Sequence, residues 1–284
     1  MNKRVRKAII PVAGFGTRLL PVTKSVPKEL LPIVDVPAIQ VIVEECIDSG
    51  IEEIVFITGR GKSGIEDHFD YNYELERLLE ERGKTQLLEK VRHISSMIRT
   101  IAVRQKKPLG LGHAVLCARD VVGDEPFLVL LPDDIIAAKV PVTKQMLEVY
   151  EKYGQGTISI MEVPRDEVSR YGIIAGESWA DGLYRIRSLV EKPDESIAPS
   201  NLAIIGRYLL PPIIFEYLAE TERDGIEVEV RVTGSSEEPE ITFSSNPALP
   251  EEEILARLLF GGSITNLSAT DALQLGAAVA SLRG

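Results

Sequence analysis

The sequence predicts an α/β protein, a three-layer sandwich whose central sheet is mostly parallel, with a small β-hairpin and helix appendage at the C-terminal end. Three observations carry this. The apolar runs Ala8 to Val12 and Phe127 to Leu131 have strand length and no polar alternation, the texture of strands buried on both faces of a parallel sheet. Between the first run and a second strand at Glu53 to Thr58, Ile39, Ile42, Val43, Cys46 and Ile47 recur at helical spacing, so strand, helix and strand follow one another as a right-handed crossover unit. Beyond Gly225 the texture changes, and Ile226, Val228, Val230 and Val232 alternate with polar residues as a half-buried strand does.

Composition bounds the function classes. With 284 residues, 44% hydrophobic and 26% charged, the chain has apolar material for a sizeable core and room for one large domain with an appendage. A net charge of −11 argues against broad nucleic-acid binding, which needs a basic face. The apolar run after Lys3, Arg4, Arg6 and Lys7 is too short for a signal peptide and is broken by Pro11, and no stretch reaches transmembrane length, so a soluble cytoplasmic protein is expected. Cys46 and Cys117 are far apart, fit no metal spacing and read as small buried hydrophobes.

The elements can be justified in order. The first strand runs into Ala8 to Pro32, AIIPVAGFGTRLLPVTKSVPKELLP, where Gly14 and Gly16 allow the close backbone approach of a phosphate-cradling turn and Arg18, Lys24 and Lys28 supply cations for a polyphosphate. The helix of Ala38 to Ser49 stops at Gly50. Asn72 to Met97 is charged and helical, a solvated excursion packed by Leu75, Leu78, Leu79, Leu87 and Leu88. A strand at Thr100 to Arg104 leads into Gln105 to Ala114, where Gly110 and Gly112 sit at the start of a helix; the Gln105 amide can pair with a base edge through its donor and acceptor. Pro132-Asp133-Asp134 follows the apolar strand at its carboxyl end, where ligands sit in open α/β sheets, and a carboxylate there suits Mg²⁺. A helix at Thr143 to Tyr153 and a strand at Gly156 to Val163 come next. Gly172, the Glu191-Lys192 pair after another strand, and Asn201 before Leu202 to Tyr208 complete the candidates; a helix at Pro211 to Thr221 follows.

The string G-x-G-T-R-L followed by Pro21, Thr23, Lys24 and Pro27-Lys28-Glu29 resembles the signature loop of sugar-1-phosphate nucleotidyltransferases. Leu30-Leu31-Pro32 and the later segments resemble the bacterial UTP-glucose-1-phosphate uridylyltransferases, from about Val5 to Thr221. The resemblance implies a Rossmann-like nucleotidyltransferase sandwich that joins UTP and glucose-1-phosphate into UDP-glucose with release of pyrophosphate. It implies catalytic roles for Arg18 and Lys28, nucleotide contacts at Ala13, Gly14, Gly16, Thr17, Gln105 and Gly110, and sugar-phosphate contacts at Gly172, Glu191, Lys192 and Asn201. Asp133 would be the Mg²⁺ ligand, with Asp134 less clearly assigned. An already ionised phosphate nucleophile needs no general base, so His113 is given a structural or supporting role. A homo-oligomer is compatible with the resemblance.

After Thr221 the family's acidic G-E-I-Q-L-T-D segment and its D-x-G-x-K-x-G-Y segment are both missing. A turn at Ser235 to Pro239, a strand at Ile241 to Phe243, a short helix from Pro250 stopped by Gly261 and Gly262, and a last helix capped by Ser268 are expected instead. Val232 to Ser245 and Pro250 to Gly261 resemble the C-terminal region of TamB-type translocation and assembly module proteins, which implies a β-strand pairing partner. The expected division is therefore a nucleotidyltransferase domain at 1–222 and a TamB-like segment at 223–284. Three functions follow: an uridylyltransferase, a nucleotide-sugar-binding protein with little turnover because the end of the site is replaced, or an envelope interaction module at the C-terminus.

Overall fold

β1 (Lys7–Pro11) is the strand on which the architecture is built; its Ala8, Ile9 and Ile10 are completely buried. The computed structural model describes residues 3–224, 227–234 and 239–246, with side chains as far as residue 219. Two compact units are present, Met1–Ile214 and Phe215–Gly284.

In the first unit the signature loop after β1 winds through three short 3-10 turns, Thr17–Leu19, Val22–Lys24 and Lys28–Leu30, and a small hairpin, β2 (Pro32–Ile33) with β3 (Val36–Pro37). α1 (Ala38–Asp48) buries Ile39, Ile42, Val43 and Cys46, the stripe that its spacing predicts. β4 (Glu53–Thr58) lies parallel to β1, Ile9 opposite Val55. The charged excursion folds as α2 (Ser63–Phe69), α3 (Tyr73–Glu81) and α4 (Thr85–Ser96). Its five leucines pack less than expected: Leu88 is buried and Leu79 half-buried, whereas Leu75, Leu78 and Leu87 face solvent. Salt bridges such as Arg92 to Glu76 line the exposed helices instead.

β5 (Arg99–Arg104) pairs parallel with β4; α5 (Gly110–Leu116) and α6 (Arg119–Val122) then return the chain to β6 (Phe127–Leu130), parallel to β1 on its other side. α7 (Val142–Tyr153) and β7 (Thr157–Glu162) precede the hairpin β8 (Gly172–Ala180) and β9 (Leu183–Glu191), and β10 (Leu202–Leu210) closes the unit. The sheet order is β5-β4-β1-β6-β10-β8-β9, with β7 pairing β10 off this path. β5, β4, β1 and β6 form a parallel block; β10 joins it antiparallel to β6, and β7 and β8 pair with β10 in the same sense.

Period-two alternation divides the core. Ala8, Ile10, Ile54, Phe56, Leu128 and Leu130 lie on the face that packs against α1, together with Met146 of α7 and with Phe69 of α2, whose ring stacks on Phe56 at 5.4 Å. Ile9, Val55, Ile57 and Val129 point the other way, and the buried Ala114, Val115, Ala118 and Val122 belong to the α5–α6 layer. Full burial of each Val, Leu, Ile, Phe or Met among these stabilises by about 1.5–3 kcal/mol. Cys46 is buried as expected, while Cys117 is half-buried.

In the second unit α8 (Ile214–Asp224) precedes an antiparallel hairpin, β11 (Glu227–Gly234) and β12 (Pro239–Asn246), in which Val230 faces Phe243. Residues 235–238 of the expected turn, the helix from Pro250 and the helix capped by Ser268 lie outside the described residues.

Candidate active site

The parallel strands β1, β4, β5 and β6 end at one edge, and the predicted nucleotide-side residues sit on the loops that leave it. After β1, Ala13 is half-buried and Gly14, Thr17 and Arg18 are exposed. Gly16 adopts φ +65, and a Cβ there would meet Thr23 Cγ2 at 3.1 Å and Lys28 Cβ at 3.2 Å. The Thr23 hydroxyl donates to the Gly16 carbonyl at 2.8 Å, so the loop doubles back and presents Lys28 beside its own beginning. Beneath it, Glu29 Oε2 accepts from Lys62 Nζ at 2.8 Å in a buried ion pair, while Glu29 Oε1 is buried without a hydrogen bond.

Gln105 follows β5, and its backbone N–H donates to Thr58 O at 2.9 Å, which extends the β4–β5 pairing by one step. The side chain is 7% exposed. Its Nε2 donates to Gly110 O at 3.1 Å and lies 2.8 Å from His113 Nδ1. Both partners belong to α5, whose first residue is Gly110.

At the end of β6, Lys28 Nζ lies 2.9 Å from Asp133 Oδ2, joining the first loop to the third. Partial burial opposes the charged form of Asp133, but the Lys28 hydrogen bond and charge, helped by Arg18, outweigh it and hold this carboxyl below the usual aspartate range. Asp134 shifts the other way, pushed up by burial and by the charge of Asp133. Among the described residues no group of three or more His, Cys, Asp or Glu is placed to hold a metal. The donor set here therefore offers no all-protein cage; a charged, exposed carboxylate fits a hard cation that takes one or two protein oxygens and completes its shell from phosphate and water.

Sequence reasoning missed what holds this loop in place. Arg207, on β10, is completely buried. Its guanidinium donates to Asp134 O at 2.8 Å, to Leu131 O at 3.2 Å and to Glu45 Oε2 at 2.7 Å. Glu45, on α1, also accepts from the Thr143 hydroxyl at 2.6 Å, at the start of α7. Burial works against the Glu45 carboxylate, yet Arg207 and Thr143 together keep its pKa below the ordinary glutamate value. The inward turn of Arg207 follows a register shift between Ile204 and Tyr208, at Gly206, whose φ is +58 and whose absent Cβ leaves the space that the Asp134 carboxylate occupies. A charged residue inside the otherwise apolar run Leu202 to Leu210 was the available signal.

Among the residues predicted to meet the sugar phosphate, Gly172 and Glu191 are register partners across β8 and β9, and a Cβ on Gly172 would approach Glu191 Oε2 to 3.0 Å. Lys192, at φ +45, is tied back by its backbone N–H to Tyr171 O at 3.0 Å and pairs with Glu191 through an exposed salt bridge of 3.0 Å. Asn201 donates its side-chain amide to Val163 O at 3.2 Å. Tyr208, read from the sequence only as the end of a strand, is half enclosed here: burial first, then the negative charges of Asp134 and Glu191, raise the pKa of its hydroxyl.

An open parallel edge with a glycine loop, three cations in sequence and an aspartate at the end of the central strand is the arrangement of a nucleotide-transferring α/β enzyme, and residues 7–233 match the family model for nucleotidyl transferases. The chain belongs to the nucleotidyl transferase family, within the group of UTP–glucose-1-phosphate uridylyltransferases. It is 54% identical over 231 residues to the UTP–glucose-1-phosphate uridylyltransferase of Bacillus subtilis, a match covering 81% of this chain and 79% of that protein. The fold superposes with TM-score 0.69 on a UDP-glucose pyrophosphorylase complexed with UDP-glucose, at 46% identity, covering 76% of this chain and 80% of the other. A UTP-bound UGPase from Acinetobacter baumannii matches with TM-score 0.71 at 43% identity, covering 75% and 76% of the two chains. Residues 197–284 also match the model of the TamB C-terminal domain, overlapping the nucleotidyl transferase match between 197 and 233. Among the described residues no helix is long and apolar enough to cross a membrane.

Proposed function

We propose that this chain transfers the uridylyl group of UTP to glucose-1-phosphate, forming UDP-glucose and pyrophosphate, and that the site lies at the carboxyl edge of β1, β5 and β6. The observation that carries the reading is the 2.9 Å pair between Lys28 and Asp133, which draws the phosphate loop and the end of the central strand into one charged cluster.

The phosphate of glucose-1-phosphate arrives as an anion and attacks the α-phosphorus of UTP in line. The bond from that phosphorus to the α,β-bridging oxygen breaks, and its electron pair leaves on pyrophosphate. Arg18 and Lys28 offset the charge that accumulates on the triphosphate, while the backbone from Ala13 to Thr17, with Gly14 and Gly16, brings N–H groups to its oxygens. Asp133 would hold Mg²⁺, which when bound neutralises phosphate oxygens as a Lewis acid. The exposed carboxylate and ammonium of Glu191 and Lys192 divide the sugar phosphate between them, one accepting from hydroxyls and the other meeting the anion; Gly172 and Asn201 complete that wall. Gln105, supported by Gly110, faces the base. UTP and sugar phosphates place the reaction in the cytoplasm, and a homo-oligomer is compatible with it. The domain boundary falls near 222, with a TamB-like segment beyond it.

Pyrophosphate release from UTP, glucose-1-phosphate and Mg²⁺ tests the reading, and Asp133→Ala should abolish it. The TamB match over 197–284 favours one alternative, a protein that binds nucleotide with little turnover. UTP binding by calorimetry without pyrophosphate release would establish that alternative; absence of UTP binding would sink both.

A further inference from the structure

The Gln105 amide can meet a nucleobase in two orientations, and each selects a different base. A backbone carbonyl only accepts, so the bond to Gly110 O at 3.1 Å requires the nitrogen end of the amide to face α5. The second N–H of the same nitrogen is then aimed at His113 Nδ1, 2.8 Å away, which must be the unprotonated ring nitrogen. The imidazole proton is thereby left on Nε2, 3.9 Å from Cys117 Sγ. With both N–H groups spent, Gln105 has only the lone pairs of Oε1 to offer. An acceptor at that point pairs with the N3–H of uracil, whereas cytosine presents a lone pair at N3 and is repelled. Reversal of the amide would invert the preference.

We infer that His113 is a positioning residue for base choice, holding the Gln105 amide with its oxygen toward the nucleotide. The inference rests on the uridylyl reading above. Gly110 alone would give the amide one anchor and His113 gives a second, one turn further along α5. A single hydrogen bond of ordinary net strength biases two orientations by about five- to tenfold, so losing one of two anchors removes about that much selectivity.

The test is the ratio of UTP to CTP affinity, measured by calorimetry on the full chain and on three variants of it, His113→Leu, His113→Asn and Gln105→Leu. A ratio needs no turnover and is insensitive to a partly unfolded fraction, because both nucleotides see the same folded protein. The wild type should favour UTP. His113→Leu should lower the ratio by about five- to tenfold, and His113→Asn, whose side-chain oxygen can accept from Nε2, should restore most of it. If His113 only supports helix packing, His113→Leu weakens both nucleotides in proportion. An unchanged ratio there, beside a collapsed ratio in Gln105→Leu, overturns the inference and leaves the uridylyl reading standing. An unchanged ratio in Gln105→Leu overturns it too, since Gln105 would then not read the base. A wild type that binds no UTP removes the reading beneath it.

Discussion

In the proposed reaction Lys28 does two things at once: it supplies charge to the triphosphate, and it lowers the pKa of Asp133. These can be separated by pH. Without the lysine, burial acts on Asp133 with only a backbone hydrogen bond and the charge of Arg18 to oppose it, so the aspartate pKa moves up. Lys28→Ala should therefore lower uridylyl transfer by about 10²–10³-fold and also move the acid limb of the pH–rate profile to higher pH. The profile of the variant, measured with saturating substrates, checks this, and an acid limb that stays in place would mean that Lys28 acts on substrate alone. Both residues were legible in the sequence as candidates because of their types and their positions in the loops that follow strands. The contact between them was not, since 105 positions separate them and only the sheet brings their loops together.

At the scale of elements, β10 is the brace of the site. Arg207 ties α1, the start of α7 and the loop after β6 through Glu45, Asp134 and Leu131, and it does so in a strand whose apolar run reads as ordinary core. Arg207→Met should destabilise the protein by about 3–5 kcal/mol, because Glu45 would be left buried without its cation. The pH dependence should change sign. In the wild type the lowered pKa of Glu45 makes its contribution present above the unfolded glutamate value and lost as pH falls through the folded one. In the variant, burial is the largest influence on Glu45 and only the two Thr143 hydrogen bonds oppose it, so the Glu45 pKa moves up, and acidification through the carboxylate range is expected to stabilise relative to neutral pH. Thermal melts of both proteins across that range would decide it, and parallel curves would rule out the brace. α3 and α4 show the opposite side of sequence reading: their helical period is correct, but period alone does not say which face another element will cover, and three of the five leucines stay in water.

The whole chain carries two family patterns that overlap over 197–233, so β10 and α8 fall within both matches. Among the described residues, the buried clusters of the first unit draw on Val5 to Leu209. A chain shortened to end at Asp224 should therefore keep the melting temperature of the full protein within a few degrees and keep its affinity for UTP. Differential scanning calorimetry and titration with UTP measure both. Loss of either would place part of the nucleotide domain beyond residue 224. The net charge of −11 leaves the cationic cluster of Arg18 and Lys28 as a local feature on an acidic molecule, suited to a small polyanion rather than to a nucleic-acid surface.

What the sequence alone determined was the α/β class, the glycine-bearing loop with its cations at the end of the first strand, the order of the candidate segments along the chain, and the change of texture after Thr221. These are local properties, set by hydrophobic period, turn chemistry and residue type over short windows. The tertiary structure decided which distant groups meet: Lys28 with Asp133, Gln105 with His113, and Arg207 with Glu45 and the carbonyls of the aspartate loop. The orientation of an amide and the ionisation of a carboxyl depend on neighbours brought in by sheet register, and register is a property of the folded chain. The glycine loop could be read from its own residues; the partners that pair with its lysine and brace the loops beside it could not.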